Sequence, residues 1–316
     1  MADGWSTHTV ELLPDRAVKR YRHWAEREHE REWQALTLLQ AYAPGLAPAP
    51  LDLDPGPPTP TLVMSRLPGT VLRGGIVEPA QISALAAALT ELHHCLPAEV
   101  AAALPHRTWR QRQCVEYIRR RYPELATRSL DPEITRAAAD GMSWLNATAS
   151  RWNHDPDLRP VLGQADGNLA NFLWDGTRIV IVDFEESGRS DVPFELAELV
   201  EHVGSWVETD FGTDAFLAHF PLETGELARL AECRRLLALL WLIALSLVGP
   251  DDGRNPPGTP LRQARRLRAL LDARWRRLRF PRADDQQRRP AAMVGKVWAP
   301  AERLLVGVGL VDAGED

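Results

Sequence analysis

Over the first 65 residues the apolar positions come in short runs. Residues 9–13 (TVELL) and 17–21 (AVKRY) are separated by Pro14 and Asp15, a pattern that predicts two short strands and a turn. From residue 24 to residue 42 the period changes. Trp33, Leu36 and Leu39 recur at three-residue spacing among many Glu and Arg residues, which predicts one helix with a single buried face. Ala43, Pro44 and Gly45 end it. Residues 48–60 are Pro-rich and predict loop or an irregular strand edge. Residues 61–64 (TLVM) predict a buried strand, and residues 66–69 (RLPG) then break the chain. Beyond them the character is mostly helical, with helices expected over 80–95, 109–122, 132–152, 194–207, 214–219, 227–248 and 262–280. The last of these carries Leu267, Leu270, Leu271 and Trp275 on its apolar side. Residues 281–316 show no pattern that assigns an element.

One segment interrupts the helices. Residues 172–174 (FLW) and 178–182 (RIVIV) flank Asp175 and Gly176, and an Asp-Gly pair between apolar, β-branched runs predicts a hairpin. Asn171 enters this hairpin and Asp183 leaves it. Paired strands lie about 5 Å apart, so both side chains can approach one ion. An amide and a carboxylate offer oxygen to a hard cation such as Mg²⁺. Just upstream, residues 164–171 (QADGNLAN) place Asp166 five positions before Asn171. That is the spacing of the kinase catalytic loop, in which the Asp accepts the proton of the attacking hydroxyl and the Asn holds Mg²⁺. Asp183 follows the apolar run 179–182 as the metal-binding Asp of a D-F-G segment does, with Glu185 where that segment has Gly.

Composition narrows the class without choosing it. The chain has 316 residues, 45% apolar and 25% charged, ordinary for a globular protein with room for two lobes. A net charge of −6 argues against a general nucleic-acid partner. Cys95, Cys114 and Cys233 lie far apart with no C-x-x-C spacing and are expected to be reduced thiols of a cytoplasmic protein. No apolar signal core is visible near the N-terminus. The longest apolar run, 236–248, is interrupted only by Ser246. It is too short for a membrane span of about 20 residues and is expected to be a buried core helix.

Taken together, residues 164–171, the segment 182–184 (VDF) and residues 191–197 (DVPFELA) resemble, in order, the motifs of the aminoglycoside phosphotransferase family, whose relatives include choline- and homoserine-kinase-like proteins. Weaker matches fall at Val18-Lys19, Arg31-Glu32, residues 62–69 and Leu92-His93. The resemblance implies an α+β, bilobal, protein-kinase-like fold. A small β-rich nucleotide-binding lobe with its hinge would span 1–69, a large, mainly helical catalytic and substrate lobe 70–280, and an extension 281–316. It implies ATP and Mg²⁺, and a small hydroxylated molecule as acceptor.

The implied roles follow by position. Asp166 is the catalytic base, and Asn171 and Asp183 are the metal ligands. Lys19 grips phosphate and pairs with a helix glutamate. Of Glu28 and Glu32, which share a helix face, Glu32 is favoured because it lies four before buried Leu36. Ser65 and Leu67 present backbone groups to adenine, and Ser6, within residues 4–7, belongs to a phosphate-covering loop. Asp191 is expected to hold backbone near the catalytic loop. Glu201, Glu208, Asp210 and Asp214, with Trp206 and Phe211, are candidates to face the acceptor. Glu185 and Glu186 could face a cationic substrate or water. One departure stands out: Gln164 occupies the place of the usual histidine, and its amide can also donate and accept. The alternative reading is a degenerate kinase that binds nucleotide or ligand without transfer.

Overall fold

In the computed structural model, residues 8–22, 27–56, 58–248 and 255–272 are described. Residues 4–7 with Ser6, the start of the first helix at residue 24, and everything from 273 onward lie outside them.

A four-stranded antiparallel sheet forms first, in the order β1-β2-β4-β3. Its strands are β1 (Thr9–Leu12), β2 (Arg16–Arg20), β3 (Pro50–Asp54) and β4 (Thr61–Ser65). The Pro-rich stretch supplies the edge strand β3, whose register shifts between Pro50 and Asp52. An edge is where missing N–H groups can be tolerated. Between β2 and β3 runs α1 (Glu28–Tyr42). It buries Glu32, Ala35, Leu36 and Leu39, while Trp33 is only half-buried.

The remainder is mainly helical: α2 (Pro79–His94), α3 (Ala98–Ala103), α4 (Gln111–Arg121), α5 (Pro132–Ala147), α6 (Val192–Glu201), α7 (Thr213–Leu217), α8 (Thr224–Leu247) and α9 (Thr259–Asp272). Four of the expected helices are shorter than their patterns: the one expected over 194–207 ends at Glu201, before a 3-10 turn over Val203–Ser205, and the one over 214–219 ends at Leu217. Trp109 adopts φ 51° and stays outside α4, and the stretch after α5 tightens into a 3-10 turn over Ala149–Trp152. Helix α6 starts two residues early because Asp191 caps it, its Oδ1 accepting the Phe194 N–H at 3.0 Å, with proline in the first turn. Helix α8 is buried on every side from Leu236 to Leu247, as an apolar run broken only by Ser246 requires. Among the described residues no helix is long and apolar enough to cross a membrane.

The hairpin forms as expected: β7 (Phe172–Trp174) pairs with β8 (Ile179–Ile181), Phe172 opposite Ile181. Asp175 Oδ1 accepts the N–H groups of Thr177 (2.8 Å) and Arg178 (2.9 Å), and Gly176 takes φ 103°, where a Cβ would be strained. A short β5 (Thr70–Val71) extends this pair into a three-stranded sheet. A separate ribbon of β6 (Val161–Gly163) and β9 (Gly188–Ser190) brackets the loops around Asp166 and Asp183.

Candidate active site

Hairpin register decides what meets. The Val182 N–H donates to Asn171 O at 2.9 Å, so Asp183 leaves β8 beside Asn171. Asp183 takes φ 66° and Ala165 φ 74°, left-handed conformations that non-glycine residues adopt only when the surroundings hold them there.

Gln164 supplies part of that hold. It is 3% exposed. Its Nε2 donates to Asp183 O at 2.7 Å and Val182 O at 3.3 Å, and its Oε1 accepts the Asp166 N–H at 2.9 Å. One amide thereby ties the Asp166 loop to the Asp183 loop, using both its donor hydrogens and its acceptor. Gln164→Ala leaves these backbone groups without their partner and is expected to cost on the order of 1–3 kcal/mol. An unchanged urea midpoint would refute the tie.

Asp166 accepts twice. Oδ1 takes the Asn168 N–H at 3.0 Å and Oδ2 the Asn171 Nδ2–H at 2.8 Å. Burial pushes its carboxyl up to about 6, against the lowering effect of these two bonds. The following Gly167 has no room for a side chain, because a Cβ would lie 2.6 Å from the Glu198 carbonyl.

Behind the loop lies a second charge group that no local pattern announces. Arg107, 2% exposed, donates to Glu195 Oε1 at 2.6 Å and to Ala165 O at 3.0 Å, and pairs with Glu198. Glu195 Oε2 in turn accepts the Ala165 N–H at 3.2 Å. Both backbone groups of strained Ala165, the residue before Asp166, are therefore held by one ion pair.

In the N-terminal sheet, Lys19 Nζ reaches Glu32 Oε2 at 2.7 Å, Asp183 Oδ1 at 2.5 Å and Glu185 Oε2 at 2.5 Å. Burial alone would lower the lysine, but the three carboxylates outweigh it and hold Lys19 well above its ordinary value. Glu32 also accepts from Tyr21 Oη at 2.5 Å and the Phe184 N–H at 3.1 Å, so both oxygens of this buried acid have a donor. Burial, then Glu185, push Asp183 well above the usual carboxylate range. Glu185 stays low against burial because Lys19 and then His8 face it, with His8 Nε2 3.1 Å away. Its neighbours among the described residues are therefore cationic side chains of the protein itself. Burial pushes half-buried Glu186 well above its ordinary value. Ligand oxygens of Glu32, Asp183 and Glu185 lie within 4.8 Å of one another.

Other expected residues fall elsewhere. The Ser65 N–H already donates to Ala49 O at 2.9 Å, and Ser65 Oγ accepts the Ala49 N–H at 2.8 Å. Leu67 follows outside any strand or helix. Asp191 Oδ2 accepts from Arg229 Nη2 at 2.9 Å besides capping α6. Glu201 is fully buried and paired with Arg234 Nε at 2.7 Å and Arg266 Nη2 at 3.0 Å, so it has no acceptor-facing role. The Trp206 ring lies 5.4 Å from the Arg262 guanidinium and 5.2 Å from that of Arg266, and Phe211 is buried against Phe216. Glu208, Asp210 and Asp214 are exposed.

A small antiparallel sheet over a mainly helical body, with a buried lysine–glutamate pair reaching an aspartate at the end of a hairpin, defines a kinase-like fold. Residues 1–233 match the APH family, described as the phosphotransferase enzyme family, and the chain belongs to it. It is a small-molecule phosphotransferase. No curated protein matches the sequence. Solved structures agree on the fold. A choline/ethanolamine kinase family protein from Mesorhizobium loti is 18% identical with a TM-score of 0.57, over 84% of this chain and 85% of that one. The aminoglycoside phosphotransferase APH(2")-IIa, solved with gentamicin, is 14% identical with a TM-score of 0.54, over 84% and 89%. Spectinomycin phosphotransferase APH(9)-Ia, solved with ADP and spectinomycin, is 14% identical with a TM-score of 0.53, over 86% and 87%.

Proposed function

We propose that the protein transfers the γ-phosphate of ATP to a hydroxyl of a small molecule, an aminoglycoside or another hydroxylated natural product or metabolite. The observation that carries this reading is the convergence of Asp166, Asn171, Asp183 and Lys19, tied by Gln164 across two loops. Asp166 orients the acceptor hydroxyl and takes its proton. The hydroxyl oxygen forms the new bond to the γ-phosphorus, the bond to the β,γ-bridging oxygen breaks, and ADP leaves with that electron pair. Transition states of this kind ask for positioning and charge stabilisation more than for covalent chemistry. Lys19, oriented by Glu32, donates to phosphate oxygens. Leu67 presents backbone groups to adenine. Ser65 contributes there only through its carbonyl, because its N–H serves Ala49. Residues 1–69 act as the nucleotide lobe and 70–280 as the catalytic lobe.

The donor set suits Mg²⁺. Asn171 spends its Nδ2 on Asp166, which leaves its Oδ1 for a cation. Asp183 adds a carboxylate, with Glu185 and Glu32 close by, and oxygen ligands are what this ion takes. When bound, the ion neutralises phosphate charge. The gentamicin- and spectinomycin-bound relatives and the choline kinases support a hydroxylated acceptor, with cationic groups among the possibilities.

The test is calorimetric titration with ATP, with and without Mg²⁺, followed by ADP release across aminoglycosides, choline and neutral polyols. The expected result is metal-dependent binding at roughly micromolar Kd, about −8 kcal/mol, and release stimulated by one acceptor class. Binding without release for every acceptor would favour the degenerate reading, in which Glu185 keeps Lys19 from the phosphates.

A further inference from the structure

His202 follows the last turn of α6 and is 2% exposed. Its ring meets Trp241 edge-on, with centroids 4.9 Å apart. Nδ1 accepts the Gly204 N–H at 3.0 Å. An accepting Nδ1 carries no hydrogen, so in the neutral ring the proton sits on Nε2. The ring is neutral because burial, helped by the Arg73 charge, holds it down at about 3. Its Nε2 is buried and has no hydrogen-bond partner among the described residues, although Asp166 Oδ1 stands 3.7 Å away. A buried donor with no acceptor is a costly arrangement. Here the nearest carboxylate oxygen belongs to the residue on which the proposed chemistry depends.

We infer that His202 is a positioning residue for Asp166: in the nucleotide-bound enzyme its Nε2–H closes onto Asp166 Oδ1 and turns Oδ2 toward the acceptor hydroxyl. This rests on the reading of Asp166 as the base. The closure needed is less than about 1 Å, from 3.7 Å to an ordinary N–H···O distance. An ionised carboxylate has about four lone-pair sites. Oδ1 takes the Asn168 N–H and, on closure, the His202 Nε2–H. Oδ2 takes the Asn171 Nδ2–H. A single site remains, on Oδ2, and the acceptor's proton goes there. Without His202 the carboxylate is held at one point on each oxygen and can rotate, which misaligns that site.

Two variants separate the ring's two nitrogens. His202→Asn places an amide oxygen near the Nδ1 position, keeping the Gly204 contact but not reaching Asp166. His202→Gln places an amide N–H near the Nε2 position. With Mg·ATP and water as acceptor, His202→Asn should lower the rate of ADP release roughly 10–100-fold. KM for ATP should stay within about twofold, and His202→Gln should return the rate to within about threefold of wild type. An unchanged rate in His202→Asn, or a His202→Gln no faster than His202→Asn, overturns the inference.

A second readout needs neither variant to turn over. In the full chain with ¹⁵N-labelled histidine, the Nε2–H resonance of His202, identified by its loss in His202→Asn, should move downfield when Mg·ATP binds. In Asp166→Ala it should not move. A wild-type resonance that ignores both Mg·ATP and Asp166 overturns the inference. If wild type releases no ADP but the resonance responds as expected, the positioning contact stands and it is the transfer reading that fails.

Discussion

Asp166→Ala is expected to lower kcat by on the order of 10²–10⁴ while leaving the Kd for Mg·ATP within about threefold. The split follows from what Asp166 touches. Its oxygens are bonded to the Asn168 N–H and the Asn171 amide, whereas Lys19 is held by Glu32, Asp183 and Glu185. On the proposed reading, removing Asp166 removes the group that orients and deprotonates the acceptor and leaves the Lys19 cluster in place. Ala is a cleaner probe than Asn, whose added NH₂ would face either the Asn168 N–H or the Asn171 NH₂. The pH profile gives an independent reading. Burial pushes the Asp166 carboxyl up to about 6, and only the carboxylate can accept a proton. Wild-type kcat/KM should fall as pH drops through about 6, and Asp166→Ala should lose that limb. Full turnover in the variant would remove Asp166 from the mechanism.

How much of the fold the residues disclose depends on the range of the interactions that set it. The hairpin was legible because an Asp-Gly turn and its flanking strands are written within eleven residues. Helix α8 was legible because a run that is apolar on all faces has nowhere to go but the core. The pairing of Lys19 with Glu32 could be expected because Leu36 fixes which face of α1 is buried. Strands β5, β6 and β9 were not legible. Each is two or three residues long, and a pattern of period two needs more length than that. Glu201 was misplaced for a related reason. An acid beside Glu208 and Asp210 looks like part of a solvated or substrate-facing group, but its partners Arg234 and Arg266 sit on helices that fold over it from later in the chain. The engagement of Glu185 by His8 and Lys19, and the approach of His202 to Asp166, likewise depend on tertiary placement. Gln164 was legible only as a departure. That its amide could serve as a loop support followed from its donors and acceptor, but which carbonyls it would hold did not.

Arg107→Ala is expected to destabilise the protein by on the order of 3–5 kcal/mol, because breaking a buried ion pair strands its partner charges. Glu195 lies 88 residues further along the chain, and Arg107 is the cation between it and Glu198. Burial already pushes Glu198 up to about 8. Burial would raise Glu195 as well, but Arg107 holds it below its ordinary value. Once the guanidinium is gone, both folded-state values should lie above the unfolded one near 4.5. A carboxyl raised in the folded state binds more protons folded than unfolded, so its stabilising contribution is present at low pH and is lost as pH rises through the raised value. The deficit of Arg107→Ala in urea should therefore be larger at pH 8 than at pH 5. Arg107→Lys should recover little. An ammonium is a point charge, and the planar guanidinium here serves Glu195, Glu198, Ala165 O and Thr108 O together. The same substitution removes the donor that holds Ala165 O in its left-handed conformation, so under conditions where the variant remains folded its kcat should fall while its affinity for Mg·ATP holds. A variant with the wild-type urea midpoint at pH 8 would show that the ion pair carries neither the fold nor the loop.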